Sequence, residues 1–246
     1  MTLTSSAHLD NDASGDIFRL VEAESIALGR GRVQRLSKDA TNAVVPVLTA
    51  DVQMAATLEG TTISASDPSL LPAGGTFVTY KARCVASVEI ESDSKDMPWG
   101  DLASRSIGHR VDEACFANAV TNATVATGAV LSAASLATAV AGLPAEDVKK
   151  AVLIVEPSQA SAVHSLMLAD GTVKGHEVLY TDQLPANIGA LLMSPANLLV
   201  ITPPAPFSMS RDDQSGATHD RVGYTYRFRC FATTTPSAAI ASFTDA

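Results

Sequence analysis

Two long stretches in which apolar and polar side chains alternate constrain the fold of this 246-residue chain more than any other feature. The first runs from Thr76 to Glu91 and the second from Arg221 to Ala232. A period of two is typical of a β-strand that buries one face, and the first stretch would span about 50 Å at about 3.3 Å per residue. We therefore predict two long strands that share one antiparallel sheet, with one face of that sheet in water.

The segment between these stretches is predicted to begin with a long helix. Asp96 can act as its N-cap, Pro98 suits its first turn, and Asp101 complements the positive end of the helix dipole. The helix should extend to about Val120, which gives roughly 23 residues or about 34 Å. Its apolar stripe consists of Leu102, Ile107, Val111, Ala114, Cys115 and Ala119.

Residues 128–206 predict a compact second unit in which strands and helices alternate. Helices are expected at Ser135–Ala141 and from a cap at Ser158 through Leu168, followed by a turn at Asp170-Gly171. Apolar runs predict strands at Ala151–Val155, Glu177–Thr181, Leu191–Ser194 and Leu198–Thr202. The first of these is apolar on both faces and is therefore expected to be central. The predicted fold class is α+β.

The chain before the first long strand is predicted to project from the body. A short helix should run from a cap at Asp16 to Gly29. Residues 44–75 are rich in small residues, Gly and Pro, and contain no aromatic residue, so they should add little to a core. We expect them to form a long hairpin whose partners lie on another chain. A basic cluster, which is either a solvated stretch or an arm on an acidic neighbour or nucleic acid, contains Arg30, Arg32, Arg35 and Lys38.

The composition indicates a chain that hides much of its surface against neighbours. Charged residues make up only 17% of the chain, below the usual ~25%, while hydrophobic residues make up 46%. The chain contains no run of 18 apolar residues, which argues against a transmembrane helix. The net charge of −9 argues against a dedicated reader of nucleic acid, which is normally basic. Three cysteines are too few for a disulfide scaffold and predict a reducing compartment.

The sequence shows no motif for catalysis, a cofactor or a metal. The five histidines lack the spacing of a metal site, and neither a nucleotide-binding glycine loop nor a serine-nucleophile motif occurs. Cys84 and Cys230 fall on the apolar faces of the two long strands, where buried and unreactive thiols are expected. We therefore expect a protein that is not an enzyme and that carries no cofactor or metal.

The order of these elements, together with several short motifs, resembles the major capsid proteins of tailed phages with the Hong Kong 97 fold. Pro46, AATLEG (55–60), Ile63 and Ser66-Asp67-Pro68 are similar to the projecting E-loop of that family. FVTYKARCVASVEI (77–90) is similar to its long strand, and residues 93–118, with DEACFANA, to its spine helix. Residues 174–178 and 181–185 resemble its A-domain segment, and 235–240 its C-terminal close. The resemblance covers residues 17–246.

The resemblance implies a Hong Kong 97-type fold in five segments. These are an N-terminal arm (1–43), the E-loop as an extended hairpin (44–75), a P-domain with the long strand and spine helix (76–127), an α/β A-domain (128–206), and a return strand to the P-domain with the C-terminal close (207–246). Residues 49–80 contain no lysine, so the covalent E-loop cross-link of some relatives is not expected.

The resemblance also implies a function and partners. The chain would assemble as hexamers and pentamers into an icosahedral shell around double-stranded DNA, in a virion built in the host cytoplasm. Expected partners are further copies of the chain, a portal protein, a separate scaffolding protein, optionally a decoration protein, and DNA held by non-specific contacts, with no membrane. The predicted inter-subunit residues are Arg30, Arg32, Arg35, Lys38, Leu58, Glu59, Gly60 and Ile63. The predicted lumen-facing residues are Arg105, His109 and Arg110.

Two alternatives stay open at this point. One is an encapsulin-like nanocompartment shell of the same fold. The other, from a different class, is a small α/β enzyme that acts through Ser or Cys, which would need a nucleophile beside a base.

Overall fold

The computed structural model describes residues 19–36, 43–50, 69–87, 99–212, 221–235 and 239–245. The described strands are β1 (Arg32–Arg35), β2 (Ala43–Ala50), β3 (Ser69–Gly75), β4 (Val78–Ser87), β5 (Val125–Val130), β6 (Val152–Val155), β7 (Val178–Tyr180), β8 (Ile188–Met193), β9 (Leu198–Thr202), β10 (Phe207–Asp212), β11 (Arg221–Thr234) and β12 (Ile240–Thr244). The described α-helices are α1 (19–24), α2 (Ile26–Arg30), α3 (Trp99–Thr121), α4 (Ala133–Gly142), α5 (Ala145–Lys150) and α6 (Ala160–Leu166). None of these helices is both long and apolar enough to cross a membrane.

The two long strands pair as predicted, and β11 forms the centre of the first sheet. β11 runs antiparallel to β4, from Arg221 opposite Ser87 to Cys230 opposite Val78. β10 and β9 also pair with β11, and β1 joins β9 in parallel. Phe228 and Cys230 are buried whereas Arg229 between them is exposed, which confirms the predicted buried face of β11. The corresponding prediction for β4 is wrong at Val78, which is 48% exposed.

The long helix α3 packs against β11 and β4, and its bounds confirm the predicted helix. Cys115 and Phe116 of α3 lie in one buried cluster with Phe228 and Cys230 of β11. Leu102, predicted as part of the apolar stripe, is instead 53% exposed, because this end of the helix lines a surface groove.

The second sheet contains five strands in the order β5-β12-β8-β6-β7. β6 lies between β8 and β7, as its continuous apolar sequence predicts. Leu136 of α4 and Val163 of α6 pack with Leu153, Leu192 and Phe243 in a buried cluster on this sheet.

Two predictions for this second unit need correction. Leu198–Thr202 (β9) belongs to the first sheet, where it pairs with β1 and β11, and the C-terminal strand β12 completes the second sheet. Ser158 is not a helix cap, because Pro157 starts a 3₁₀ turn over Pro157–Gln159 and no side chain caps the helix that follows. The five segment boundaries stay predictions.

The N-terminal helix is broken at Ser25 instead of running to Gly29. Ser25 has an extended backbone (φ −113°, ψ 128°), and its Oγ accepts a hydrogen bond from the backbone N–H of Leu28 at 3.1 Å. A new helix, α2, therefore begins after Ser25, and its C-cap is Gly31. Asp16, the predicted cap, lies outside the described residues.

Candidate assembly surfaces

The hairpin formed by β2 and β3 carries apolar side chains on both faces. Val45 and Ala73 lie opposite each other and are buried in a cluster with residues of β9. Val44 on the other face and Leu71 farther along the inner face are about half exposed. The expectation that residues 44–75 add little to a core is therefore wrong for the hairpin base. The predicted contact residues Leu58, Glu59, Gly60 and Ile63 lie outside the described residues.

The base of the hairpin packs closely against β11. The guanidinium carbon of Arg229 lies 4.9 Å from the centroid of the Phe77 ring, within the range of a cation–π interaction. A Cβ atom added to Gly75 would lie 2.5 Å from Cε2 of Phe231, so only glycine allows this close approach. The direction in which the hairpin leaves the body is therefore set by β11.

Gly75→Ala is expected to lower the free energy of unfolding by about 1–3 kcal/mol, because the added methyl group must displace the Phe231 ring or tilt the hairpin. Gly108→Ala in α3 is the matched control, since its Cβ would meet its nearest atoms at 3.4 Å and alanine favours a helix by up to about 1 kcal/mol. Urea denaturation measures both variants. Equal stability of the two variants would contradict the close packing of Gly75 against Phe231.

The basic cluster that begins at the last residue of α2 forms part of its contacts within the chain. Arg30 Nη1 donates a hydrogen bond to Glu177 Oε2 at 2.6 Å, which lowers the pKa of Glu177. Arg32 and Arg35 are exposed at the two ends of β1. Lys38 lies outside the described residues. Arg30 of the cluster is therefore held in an intramolecular ion pair beside the second sheet, and the inter-subunit role of these residues stays a prediction.

Asp112 of α3 holds the N-terminal helix α2 in place. It is only 2% exposed. Its Oδ1 accepts hydrogen bonds from Ser25 Oγ (2.7 Å) and Ala27 N–H (2.9 Å), and its Oδ2 accepts one from Ile26 N–H (2.9 Å). Burial raises the pKa of Asp112, and these hydrogen bonds partly oppose the shift. The carboxylate satisfies donors of the first turn of α2 that have no partner within the helix.

The three predicted lumen-facing residues line one groove of about 460 Å³ between α3 and residues 182–184. Arg105 Nε donates to Glu24 Oε2 at 3.4 Å, and Arg110 pairs with Glu113. A hydrogen bond from Gln183 lowers the pKa of Asp182, and His109 adds to this effect. Arg105 and Arg110 therefore each have a carboxylate nearby, so the groove has little excess positive charge.

The cysteine thiols have the character of core side chains. Cys115 and Cys230 are fully buried, as predicted for Cys230, whereas Cys84 is half-buried. Burial raises the pKa of Cys230 to about 12 and also raises the pKa values of Cys115 and Cys84. The thiols are therefore protonated at neutral pH and are poor nucleophiles. Within the described ranges, no three His, Cys, Asp or Glu side chains converge on a possible metal position.

Solved structures match this architecture over nearly the whole chain, although no protein-family profile and no curated protein matches the sequence. The capsid of an empty GTA particle superposes with a TM-score of 0.68 at 19% identity, covering 91% of this chain and 90% of that chain. The satellite phage P4 procapsid gives 0.63 at 11% identity over 93% and 98%. The capsid of cyanophage P-SCSP1u gives 0.60 at 12% identity over 91% and 88%.

The chain has the Hong Kong 97-type capsid fold. Within this capsid fold, α3 is the predicted spine helix and β4 is the predicted long strand beside it. Asp112 is the main structural residue of this chain that was not predicted from the sequence. The available signal was a carboxylate directly after the apolar stripe residue Val111 and three positions before Cys115.

Proposed function

We propose that this chain is the major capsid protein of a tailed phage, which self-assembles as hexamers and pentamers into an icosahedral shell around double-stranded DNA. The observation that carries the proposal is the shared fold with capsid chains over about 90% of both lengths. The match is thus with nearly the whole subunit and not with one domain of a different protein. The role is structural.

The hairpin supports this proposal. Val44 and Leu71 expose apolar surface on a two-stranded element, which in a monomer would promote non-specific association. In a shell the same surface becomes interface area between subunits. The closely packed base would hold the hairpin in one direction, as a regular lattice requires.

DNA contact is proposed to be weak and non-specific. A phosphate that approaches Arg105 or Arg110 must compete with Glu24 or Glu113. Such contacts should be strongly salt-dependent and independent of base sequence.

The proposal also includes the portal, scaffolding and decoration partners and assembly in the host cytoplasm. These parts follow from the family resemblance.

Negative-stain microscopy of the purified full-length protein tests the proposal. Closed shells, or rings of five and six subunits, are the expected result, and discrete small oligomers would contradict it.

The alternative nanocompartment shell is tested by the contents of particles purified from the producing cells. Nuclease-protected double-stranded DNA supports the phage capsid, whereas protein cargo without DNA supports the nanocompartment.

The shell is expected to be held together without covalent cross-links. An isopeptide bond needs a lysine amine, and residues 49–80 contain none. The buried thiols Cys115 and Cys230 cannot reach a neighbouring chain without unfolding. Particles boiled in detergent and reductant should therefore run as one band near 25.5 kDa. A ladder of dimers to hexamers under these conditions would show that the prediction is wrong.

A further inference from the structure

An open groove of about 530 Å³ in the α/β unit combines an apolar floor with a basic border. Its floor consists of Ala137, Val140 and Ala141 of α4 and Val148 of α5. α4 contains no charged residue, although Ala137 and Ala141 are exposed. A helix face that stays in water normally carries charged side chains, so this face is suited to being covered.

The border of the groove carries two lysine side chains that form no ion pair with a described carboxylate. Lys149 and Lys174 line the groove, and within the described residues neither forms an ion pair. Lys174 Nζ donates one hydrogen bond to the Ala133 carbonyl oxygen at 2.7 Å and keeps two N–H donors for another acceptor. The groove therefore suits an apolar side chain that is followed closely by a carboxylate.

The same α/β unit presents such a pair on a tight turn, residues 168–172, which we call the Leu168 turn. Leu168 is 54% exposed, and Asp170 is exposed beside it. Asp170 Oδ1 accepts hydrogen bonds from Thr172 N–H (3.0 Å) and Thr172 Oγ1 (2.8 Å), which lower the pKa of Asp170. The backbone N–H of Leu168 donates to the Thr172 carbonyl oxygen at 2.8 Å. The turn is thus a protrusion, or knob, whose conformation is fixed by hydrogen bonds and which presents the apolar side chain of Leu168 and the negative charge of Asp170.

We infer that the Leu168 turn of one copy docks in the groove of a second copy, with Leu168 on the apolar floor and Asp170 beside Lys149 and Lys174. Val173 pairs with both Met167 and His176, which holds the turn at its place in its own chain, and no residue of the turn lines the groove of that chain. Each copy offers one knob and one groove, so the contact repeats from copy to copy and closes a ring where the rotation allows. The inference rests on the proposed function, which supplies the second copy.

Disulfide trapping between two differently substituted full-length chains tests the contact. A Leu168→Cys chain is mixed with an Ala141→Cys chain under mild oxidation, so that any 168–141 disulfide joins two molecules. Ala134→Cys is the matched control, because Ala134 is exposed on the same helix but does not line the groove. The expected 168–141 yield, mapped by mass spectrometry, is at least ten times the 168–134 yield. Equal yields, or no 168–141 disulfide, would overturn the inference.

Charge reversal provides an independent second test. Lys149→Glu with Lys174→Glu, or Asp170→Lys alone, should each reduce self-association measured by sedimentation velocity at least tenfold. The triple variant should recover most of it, because the reversed charges again attract. Undiminished association of the lysine variant would overturn the inference. Failure of the triple variant to recover would also overturn it, because the two lysines would then bind an acidic partner other than Asp170.

The outcomes separate this inference from the proposed function. Shells that form without a 168–141 disulfide would overturn the contact and leave the capsid proposal standing. A 168–141 disulfide in a protein that forms only small oligomers would support the contact and contradict the capsid proposal.

Discussion

Replacing residues 51–68 with an Asn-Gly turn is expected to give a folded subunit that forms no closed shells. The base of the hairpin would remain, because Val45 and Ala73 pack in the buried cluster with β9. The outer part, which is proposed to contact neighbouring subunits, would be lost. We expect the melting temperature to change by only a few degrees and the assembled fraction seen by microscopy to fall from most of the protein to none.

A second variant separates the contribution of side chains from that of chain length. In it, residues 51–68 are replaced by a Gly/Ser linker of equal length, which keeps the connection between β2 and β3 but removes the apolar side chains. This variant should also fold and fail to assemble. Normal shells from either variant would show that the hairpin tip is not needed between subunits, and failure to fold would show that it belongs to the core of its own subunit.

Asp112→Ala is expected to lower the free energy of unfolding by about 3 kcal/mol. It leaves the Ser25 hydroxyl and the backbone N–H groups of Ile26 and Ala27 without their acceptor. Each unsatisfied buried donor costs about 1–3 kcal/mol, and removal of the buried charge offsets part of this sum. Glu113→Ala is the matched control, because Glu113 is exposed on the same helix and its loss should cost less than about 0.5 kcal/mol. Urea unfolding at neutral pH measures both variants.

The pH dependence of stability tests the electrostatics of the same carboxylate. Burial raises the pKa of Asp112 above its value in the unfolded chain, which is about 3.9. Between the two values the folded protein binds more protons than the unfolded chain, so stability falls as pH rises. Asn at this position does not titrate. The stability advantage of the wild type over Asp112→Asn should therefore shrink with rising pH in this window, and a growing advantage would contradict the raised pKa.

The sequence by itself determined the elements that have a strong local period. The alternation in residues 76–91 and 221–232 specified two strands that share a sheet, and the structure pairs them with Tyr224 opposite Cys84. It also specified the buried face of β11, whereas Val78 on the predicted buried face of β4 is 48% exposed and its described neighbours on that face are only partly buried. The stripe from Ile107 to Ala119 specified the long helix in the same way. Local periodicity is enough in these cases because one face of each element must be buried, whatever lies opposite.

Only the tertiary structure decided which sheet receives a strand that is apolar on both faces. Leu198–Thr202 is buried throughout, so its sequence is equally compatible with either sheet, and the choice depends on pairing with β1 and β11. The break at Ser25 and the neutralised groove around His109 likewise depend on residues distant in sequence. Asp112 supports the start of α2 from 86 positions away at Ile26. Such contacts leave no local period, because hydrogen bonds and ion pairs between distant elements form only when packing has brought those elements together.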